Sequence, residues 1–530
     1  MHAAQVMNLS QLLAQTAQLH PERPGVIRGN EVWTWRQIDD RVNALCRALT
    51  DLGVVKGDRI LTQSRNCLQT LELAWVSFRL GCVWVPTNFR LTPDEVAYLG
   101  KSSGASVMVY EDVFADHVDA VPRESDAVRL VVSIGVARQG EHSFEDLVGK
   151  NLGCTFTPAE VSENDPCWFF YTSGTTGRPK AGVLTHGQMA FVVTNHLADL
   201  IPGTNEFDVS AVVAPLSHGA GIHMLLNVAR GAANVLMPAE KLDPEVFWQL
   251  VQTHRVTNVF TVPTIVKVLV EHPSVDAYDH SSLKFMIYAG APMYRADQKL
   301  ALQKLGKVLV QYFGLGEVTG CITVLPAHMH SANDEDPNAN IGSCGRPRTG
   351  MEVAILDKDM NRMGTGEVGE ICVRGPAVLF GYHNNPEATE KALKGGWFHT
   401  GDLGRLDERG LLYITGRESD MYISGGSNVY PREVEEVLLT HLGVLEVAVL
   451  GVPDPKWGEV GVAVVVRRPE AAEVTAEELF AHLEGRCAKY RWPREFFFWA
   501  SLPKSGYGKI TKKDVRAMLI ERGEVSDLGG

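Results

Sequence analysis

From Thr34 to Gly53 the chain reads TWRQIDDRVNALCRALTDLG, with apolar residues at Trp35, Ile38, Val42, Leu45 and Leu49. Recurrence every three or four positions predicts a helix with one buried face. Thr34 and Gln37 supply a capping box for its start, and Gly53 stands where such a helix ends. The pattern then changes period. RIL reads as a short strand, LELAWVSFRLG as a helix, CVWVP as a strand, TPDEVAYLG as a helix and SVMVYE as a strand. Strands alternating with helices predict a layered α/β domain, and this texture continues to about residue 345.

Beyond that point MEVAILDKD, GEICVRG and GRLDERGLLYITGR read as short strands between glycine turns, a small β subdomain. ESDMYISGGSNVYP is glycine-rich and polar and reads as a linker. Pro431 then opens a helix as a first-turn proline does. Strands EVAVLGV and GVAVVVR follow, then a helix capped by Thr475 and Glu478, then strand EFFFW. The expected architecture is a large N-terminal α/β domain over residues 1–418 and a small α+β domain over 419–530.

Composition narrows the classes. At 530 residues the chain is too long for one ordinary core, and 45% apolar with 21% charged residues is a globular profile. The best candidate for a membrane span, AWVSFRLGCVWVP, is short of the roughly 18 apolar residues required and carries Arg79. The first residues lack a basic segment followed by an apolar block, so no secretion signal is read. Nine cysteines, none paired at a two-residue gap, predict free buried thiols in a reducing, cytoplasmic compartment. A net charge of −13 argues against nonspecific binding to nucleic acid or anionic lipid. Any anionic ligand must then be held by local cations and backbone amides.

One segment is built for that. YTSGTTGRPK, Tyr171 to Lys180, holds four aliphatic hydroxyls, two glycines, a proline and two cations, with no carboxylate. Glycines let backbone amides approach a ligand, and hydroxyls with a cation complete a phosphate cradle. The spacing is not that of a Walker loop. An ordinary surface turn has a similar composition, so composition alone leaves both readings open. CWFFY just before it reads as a buried strand that delivers its end into the loop.

The loop resembles the signature of the adenylate-forming superfamily, which contains acyl- and aryl-CoA ligases, amino-acid adenylation domains and beetle luciferases. APLSHGAG, YAGAP, YFGLGE, GWFHTGDLG, GRESDMYISGGSNVYP and LPKSGYGK follow in the family's order across nearly the whole chain. The resemblance implies that a carboxylate attacks the α-phosphorus of ATP to give an acyl-adenylate and pyrophosphate, and that the thiol of coenzyme A then displaces AMP. It implies that Thr172, Ser173, Gly174, Thr175, Thr176, Gly177 and Lys180 hold the phosphates and that Glu317 binds Mg²⁺. Asp402 would accept the ribose hydroxyls with help from Arg417. Adenine would lie between Phe313, flanked by Tyr312 and Gly314, and the backbone at Gly290 and Ala291. Lys509 would bridge the α-phosphate and the incoming carboxylate.

The resemblance also implies a C-terminal domain that rotates between the two half-reactions about Ser419, and Gly426 in a thiol tunnel. Trp457, Tyr490 and Arg494 lie where some relatives contact the CoA nucleotide. His218 would shape the acyl and thiol passage. Three departures stand out: Ser419 replaces the usual Asp or Lys, Phe313 a tyrosine, and Gly316 the threonine expected on the α-phosphate. Small residues at 289, 290, 314 and 316 suggest an open, apolar slot, with Gly316 leaving room beside the reacting carboxylate. No cation lies in the slot segments for a second carboxylate, and no aspartate in APLSHGAG for an amine. The expected substrate is therefore a medium-chain or aromatic acid, with ATP and CoA as partners and a homodimer as the assembly considered. A ligase loading a separate carrier protein and a noncatalytic nucleotide-binding relative are the alternatives.

Overall fold

The computed structural model describes residues 6–172, 178–239, 241–291, 293–337, 339–471, 474–504 and 510–525. Three sheets organise these residues. The first has eight strands in the spatial order Gly381–Tyr382, Lys180–Thr185, Pro166–Thr172, Val83–Pro86, Arg59–Gln63, Val107–Glu111, Leu130–Ile134 and His142–Ser143. Pro166–Thr172 runs parallel to Val83–Pro86, while Lys180–Thr185 folds back antiparallel on it and Gly381–Tyr382 closes the edge. Val83–Pro86 and residues Cys167–Phe170 of its neighbour are apolar and buried, as strand segments covered on both faces must be.

The second sheet has thirteen strands. One half is parallel and runs through Val209–Val212, Asn258–Thr261, Phe285–Tyr288 and Leu309–Phe313. After Leu309–Phe313 the pairing turns antiparallel, through Thr323–Leu325 and Ser343–Pro347 to Leu412–Arg417, Phe398–Leu406, Gly369–Arg374 and Glu352–Leu356. The segments read as a small β subdomain form this antiparallel end and are joined to the parallel half through Thr323–Leu325 and Ser343–Pro347. One core, including Trp35, Trp75, Trp84, Trp168, Leu184, Val212, Ile287 and Val310, joins residues of both large sheets.

Helix Leu68–Leu80 lies within that core and is buried at every residue except Gln69. Its two charges are paired rather than solvated: Glu72 with Arg41 at 3.0 Å and Arg79 with Asp39 at 2.6 Å. A buried charge persists only with such partners. Gly81, at φ 66°, ends the helix and turns the chain into Val83–Pro86. No helix among the described residues is long and apolar enough to cross a membrane.

The helix predicted from Thr34 spans Trp35–Asp51, and both bonds of its capping box are present. The third sheet pairs Val444–Asp454 with Gly458–Arg467 and adds Tyr422–Ser424, Ser427–Val429 and Glu495–Trp499. The stretch read as a linker is thus partly a hairpin of this sheet, turned at Gly425 and Gly426 with φ of 57° and 82°. Two adjacent left-handed residues suit a two-residue hairpin, which is why glycine stands there twice.

Candidate active site

Strand Pro166–Thr172 is apolar until its last two residues, so packing buries Cys167–Phe170 and leaves Tyr171 and Thr172 at the mouth of the loop. Tyr171 is anchored by its hydroxyl to Ser102 at 2.6 Å and to the Leu99 carbonyl at 3.3 Å. Thr172 and Lys180 face each other as the last cross-strand pair before the loop. Ser173, Gly174, Thr175, Thr176 and Gly177 lie outside the described residues, as does Lys509.

Glu317 sits in a short 3-10 turn, Gly316–Val318, immediately after strand Leu309–Phe313 and its exit residues. Its backbone carbonyl accepts from Leu379 N–H at 2.7 Å, which ties the turn to the segment entering Gly381–Tyr382. The residue is 8% exposed. Thr172 Oγ1 donates to Glu317 Oε1 at 2.8 Å, and the Tyr382 hydroxyl donates to the same oxygen at 3.0 Å. Burial and the charge of Glu317 push the Tyr382 phenol well above its usual range, so it stays a proton donor. The Lys180 ammonium lies 5.4 Å from the centre of the Tyr382 ring. Tyr382 is the residue sequence reasoning missed. It reaches the site only because Gly381–Tyr382 pairs with Lys180–Thr185, a partnership across two hundred residues.

Asp402 belongs to strand Phe398–Leu406 and pairs across the ladder with Arg417 at the end of Leu412–Arg417. Arg417 Nε donates to Asp402 Oδ1 at 3.1 Å; the carboxylate is almost buried and the guanidinium is 52% exposed. The turn before it is held from several sides. Gly401, at φ 69°, donates its N–H to Glu370 Oε1 at 3.0 Å, and its carbonyl accepts from Glu418 N–H at 3.0 Å. The Thr400 hydroxyl binds the Ile371 carbonyl at 2.7 Å and accepts from Asp402 N–H at 3.0 Å.

The slot is not open where small residues were taken to open it. A Cβ on Gly316 would stand 2.6 Å from the Phe170 ring and 2.9 Å from Thr172 Cγ2. One on Gly314 would stand 2.3 Å from the Gly320 backbone. These glycines admit a ring and a chain crossing rather than leaving a void. The Phe170 ring in turn lies 4.4 Å, centre to centre, from His218, which precedes helix Gly219–Val228. A Cβ on Gly219 would meet Phe260 at 2.7 Å, and Phe260 stacks on His223 at 4.2 Å and on Tyr312 at 5.9 Å. A wall of rings therefore runs from beside Glu317 to His223, whose imidazole burial pulls down to about 3 and keeps neutral. Gly290 has φ 82° just past the end of Phe285–Tyr288, beside buried Ala289 and partly exposed Ala291; Phe313, the last residue of its strand, is partly buried.

In the C-terminal sheet, no bond among the described residues joins Gly426 to the Glu317 cluster. Ser419 is exposed and its hydroxyl donates only to neighbouring Asp420, at 3.4 Å, among the bonds found. Trp457 and Tyr490 are about half exposed, with Lys456 and Arg491 against their rings, and Arg494 pairs with Asp454.

An apolar strand feeding a hydroxyl loop, a buried acid after a parallel strand and an Asp–Arg pair on the antiparallel extension define a nucleotide-dependent enzyme. Residues 13–383 match the family model described as AMP-binding enzyme, and residues 433–509 match the AMP-binding enzyme C-terminal domain. The chain belongs to the AMP-binding enzyme family of the adenylate-forming superfamily. A feruloyl-CoA synthase from an Amycolatopsis species is 36% identical over 502 residues, covering 94% of this chain and 96% of the relative. The long-chain-fatty-acid–CoA ligase FadD13 of Mycobacterium tuberculosis is 32% identical, with 96% and 98% covered. Among solved structures, the amide bond synthetase McbA of Marinactinospora thermotolerans superposes with a TM-score of 0.86 at 28% identity, covering 96% of this chain and 99% of that one. The chain is an AMP-forming acid–thiol ligase by class.

Proposed function

We propose that this ligase converts an aromatic or medium-chain carboxylic acid, ATP and CoA into acyl-CoA, AMP and pyrophosphate through an acyl-adenylate. The observation that carries the reading is the buried Glu317 carboxylate at the mouth of the hydroxyl loop, held by Thr172 and Tyr382. Both donors are neutral and both approach Oε1, and no ion pair to Glu317 occurs among the described residues. A buried carboxylate met by two hydroxyls, with no cationic partner among the described residues, offers oxygen ligands to a hard cation, so the donor set fits Mg²⁺. Bound there, the ion would supply charge neutralisation between the triphosphate and the attacking carboxylate.

The chain's own residues do the rest. The loop hydroxyls and amides with Lys180 hold the phosphates, so the α-phosphorus is presented in a fixed orientation. Asp402, oriented by Arg417, accepts the ribose hydroxyls. Phe313 and Tyr312–Gly314 on one side, and Gly290–Ala291 on the other, enclose adenine. Lys509 brings its ammonium to the point where negative charge crowds. We assign residues 1–418 to nucleotide and acid binding and 419–530 to a mobile domain that turns about Ser419, exchanging Lys509 for a thiol passage past Gly426 and His218. The ring wall from Phe170 through His218 to Phe260 and His223 favours a flat aromatic acid, because rings pack offset or edge-on against rings. The feruloyl-CoA synthase relative supports the same substrate class.

The test assays a panel of aryl and C6–C12 carboxylates for acid-dependent pyrophosphate release and CoA-dependent AMP formation. Lys509→Ala should abolish the first and retain thioester formation from pre-made adenylate, while Ser419→Pro should spare the first and slow the second. Loss of both steps in both variants would remove the two-step assignment. Turnover with amines in place of CoA would move the reading toward the McbA chemistry.

A further inference from the structure

We propose that Glu370, Cys372 and His399 form a site for a borderline-soft divalent cation such as Zn²⁺, beside the turn that presents Asp402. Glu370 and Cys372 are two apart on strand Gly369–Arg374, so their side chains share a face, and His399 is the cross-strand partner of Cys372. Their donor atoms lie within 4.8 Å of one another. Cys372 Sγ stands 3.6 Å from His399 Nδ1. A tetrahedral zinc with bonds of about 2.3 Å to sulfur and about 2.0 Å to nitrogen separates those two atoms by about 3.5 Å. Glu370 Oε2 and His399 Nδ1, hydrogen-bonded at 2.7 Å, need to part by only about 0.6 Å to reach tetrahedral spacing.

The surroundings are those of a ligand set. His399 Nε2 faces the Lys394 carbonyl at 3.2 Å, a partner for a ring proton on Nε2, so Nδ1, once the proton between it and Glu370 has left, turns its lone pair to an ion beside Cys372 and Glu370. The second carboxylate oxygen of Glu370 is already fixed by Gly401 N–H. Cys372 is buried, whereas the side chains of His399 and Glu370 are 17% and 23% exposed, which leaves an ion a way in. The ion enters as the thiol proton and the proton shared by Glu370 and His399 leave to solvent. A thiolate–imidazole–carboxylate set selects Zn²⁺ or Co²⁺ over Mg²⁺, which prefers oxygen ligands. Because Glu370 also holds Gly401, the bound ion shifts the turn that carries Asp402; this link rests on the ribose role proposed for Asp402.

The experiment titrates the full-length protein with Co²⁺ and follows the thiolate-to-cobalt charge-transfer band and the tetrahedral visible bands. One equivalent should bind at micromolar concentration, Zn²⁺ should displace it and millimolar Mg²⁺ should not. Cys372→Ser should remove the charge-transfer band and His399→Gln should weaken binding at least tenfold. Absence of binding, or a band that survives both substitutions, would overturn the site, whatever the enzyme's substrate proves to be. With Zn²⁺ bound, the KM for ATP should change at least threefold in the wild type and not in Cys372→Ser; an unchanged KM with metal bound would overturn the link to the turn.

Discussion

Glu317, in the turn after one strand of the large sheet, and Asp402, within another strand of it, are both nearly buried carboxylates, yet their surroundings are opposite. Asp402 is met by the guanidinium of Arg417. Glu317 is met by two hydroxyls, Thr172 and Tyr382. A carboxylate already balanced by a cation can accept neutral ribose hydroxyls without drawing a second charge. One met only by O–H donors has no cation beside it, which is the basis for the Mg²⁺ role proposed for Glu317. On the roles proposed for them, the partner more than the acid itself sets which ligand each carboxylate takes.

The sharpest way to break this comparison is Glu317→Gln, which keeps the hydrogen-bond acceptor and removes the charge. Adenylation should fall by about 10²- to 10³-fold, the scale of losing one electrostatic contact in a transition state. Excess Mg²⁺ should recover only part of it. A loss under tenfold in pyrophosphate release would mean that the charge is not used. Asp402→Asn should instead raise the KM for ATP by about 10- to 100-fold, as expected for a lost charged hydrogen bond to a ligand. The Mg²⁺ dependence should stay as in the wild type, and 2′-deoxy-ATP should be discriminated against less; altered metal dependence in this variant would blur the two sites into one.

Tyr382→Phe removes one neutral donor from Glu317. At about 1 kcal/mol for such a bond, the Mg²⁺ concentration for half-maximal adenylation should shift by about fivefold. Thioester formation from supplied adenylate should not change, so equal slowing of both steps would assign Tyr382 a purely structural part. Arg417→Ala should have the smallest effect, about two- to fivefold on the KM for ATP, because the guanidinium is half exposed and solvent screens it. An effect as large as that of Asp402→Asn would show that the cation itself touches the nucleotide.

Local signals carried much of the architecture. The helices Trp35–Asp51, Pro93–Ser103 and Ala476–Leu483 all start at capping boxes that stand in the sequence as Thr-x-x-Gln or Thr-x-x-Glu. Strand CWFFY and the acid after YFGLG also lie where the pattern and motifs put them. What failed was long-range. Nothing in GEICVRG or GRLDERGLLYITGR states which sheet edge those strands join, so their continuity with the main sheet was not legible. SGGSN read as a linker because paired glycines mark a flexible segment and a tight hairpin turn alike. Gly314 and Gly316 read as space because a sequence does not say whether a missing side chain leaves a void or admits a neighbour. Tyr382 carried no local signal at all; its role comes from a two-residue strand pairing.

In the reaction proposed for this ligase, the acid is activated by bonding to the α-phosphorus of ATP. Turnover with a carboxylate labelled with ¹⁸O in both oxygens, followed by mass measurement of the AMP formed with the acyl-CoA, tests it directly. One labelled oxygen per AMP is the predicted result. Unlabelled AMP, or ADP and phosphate in its place, would contradict it.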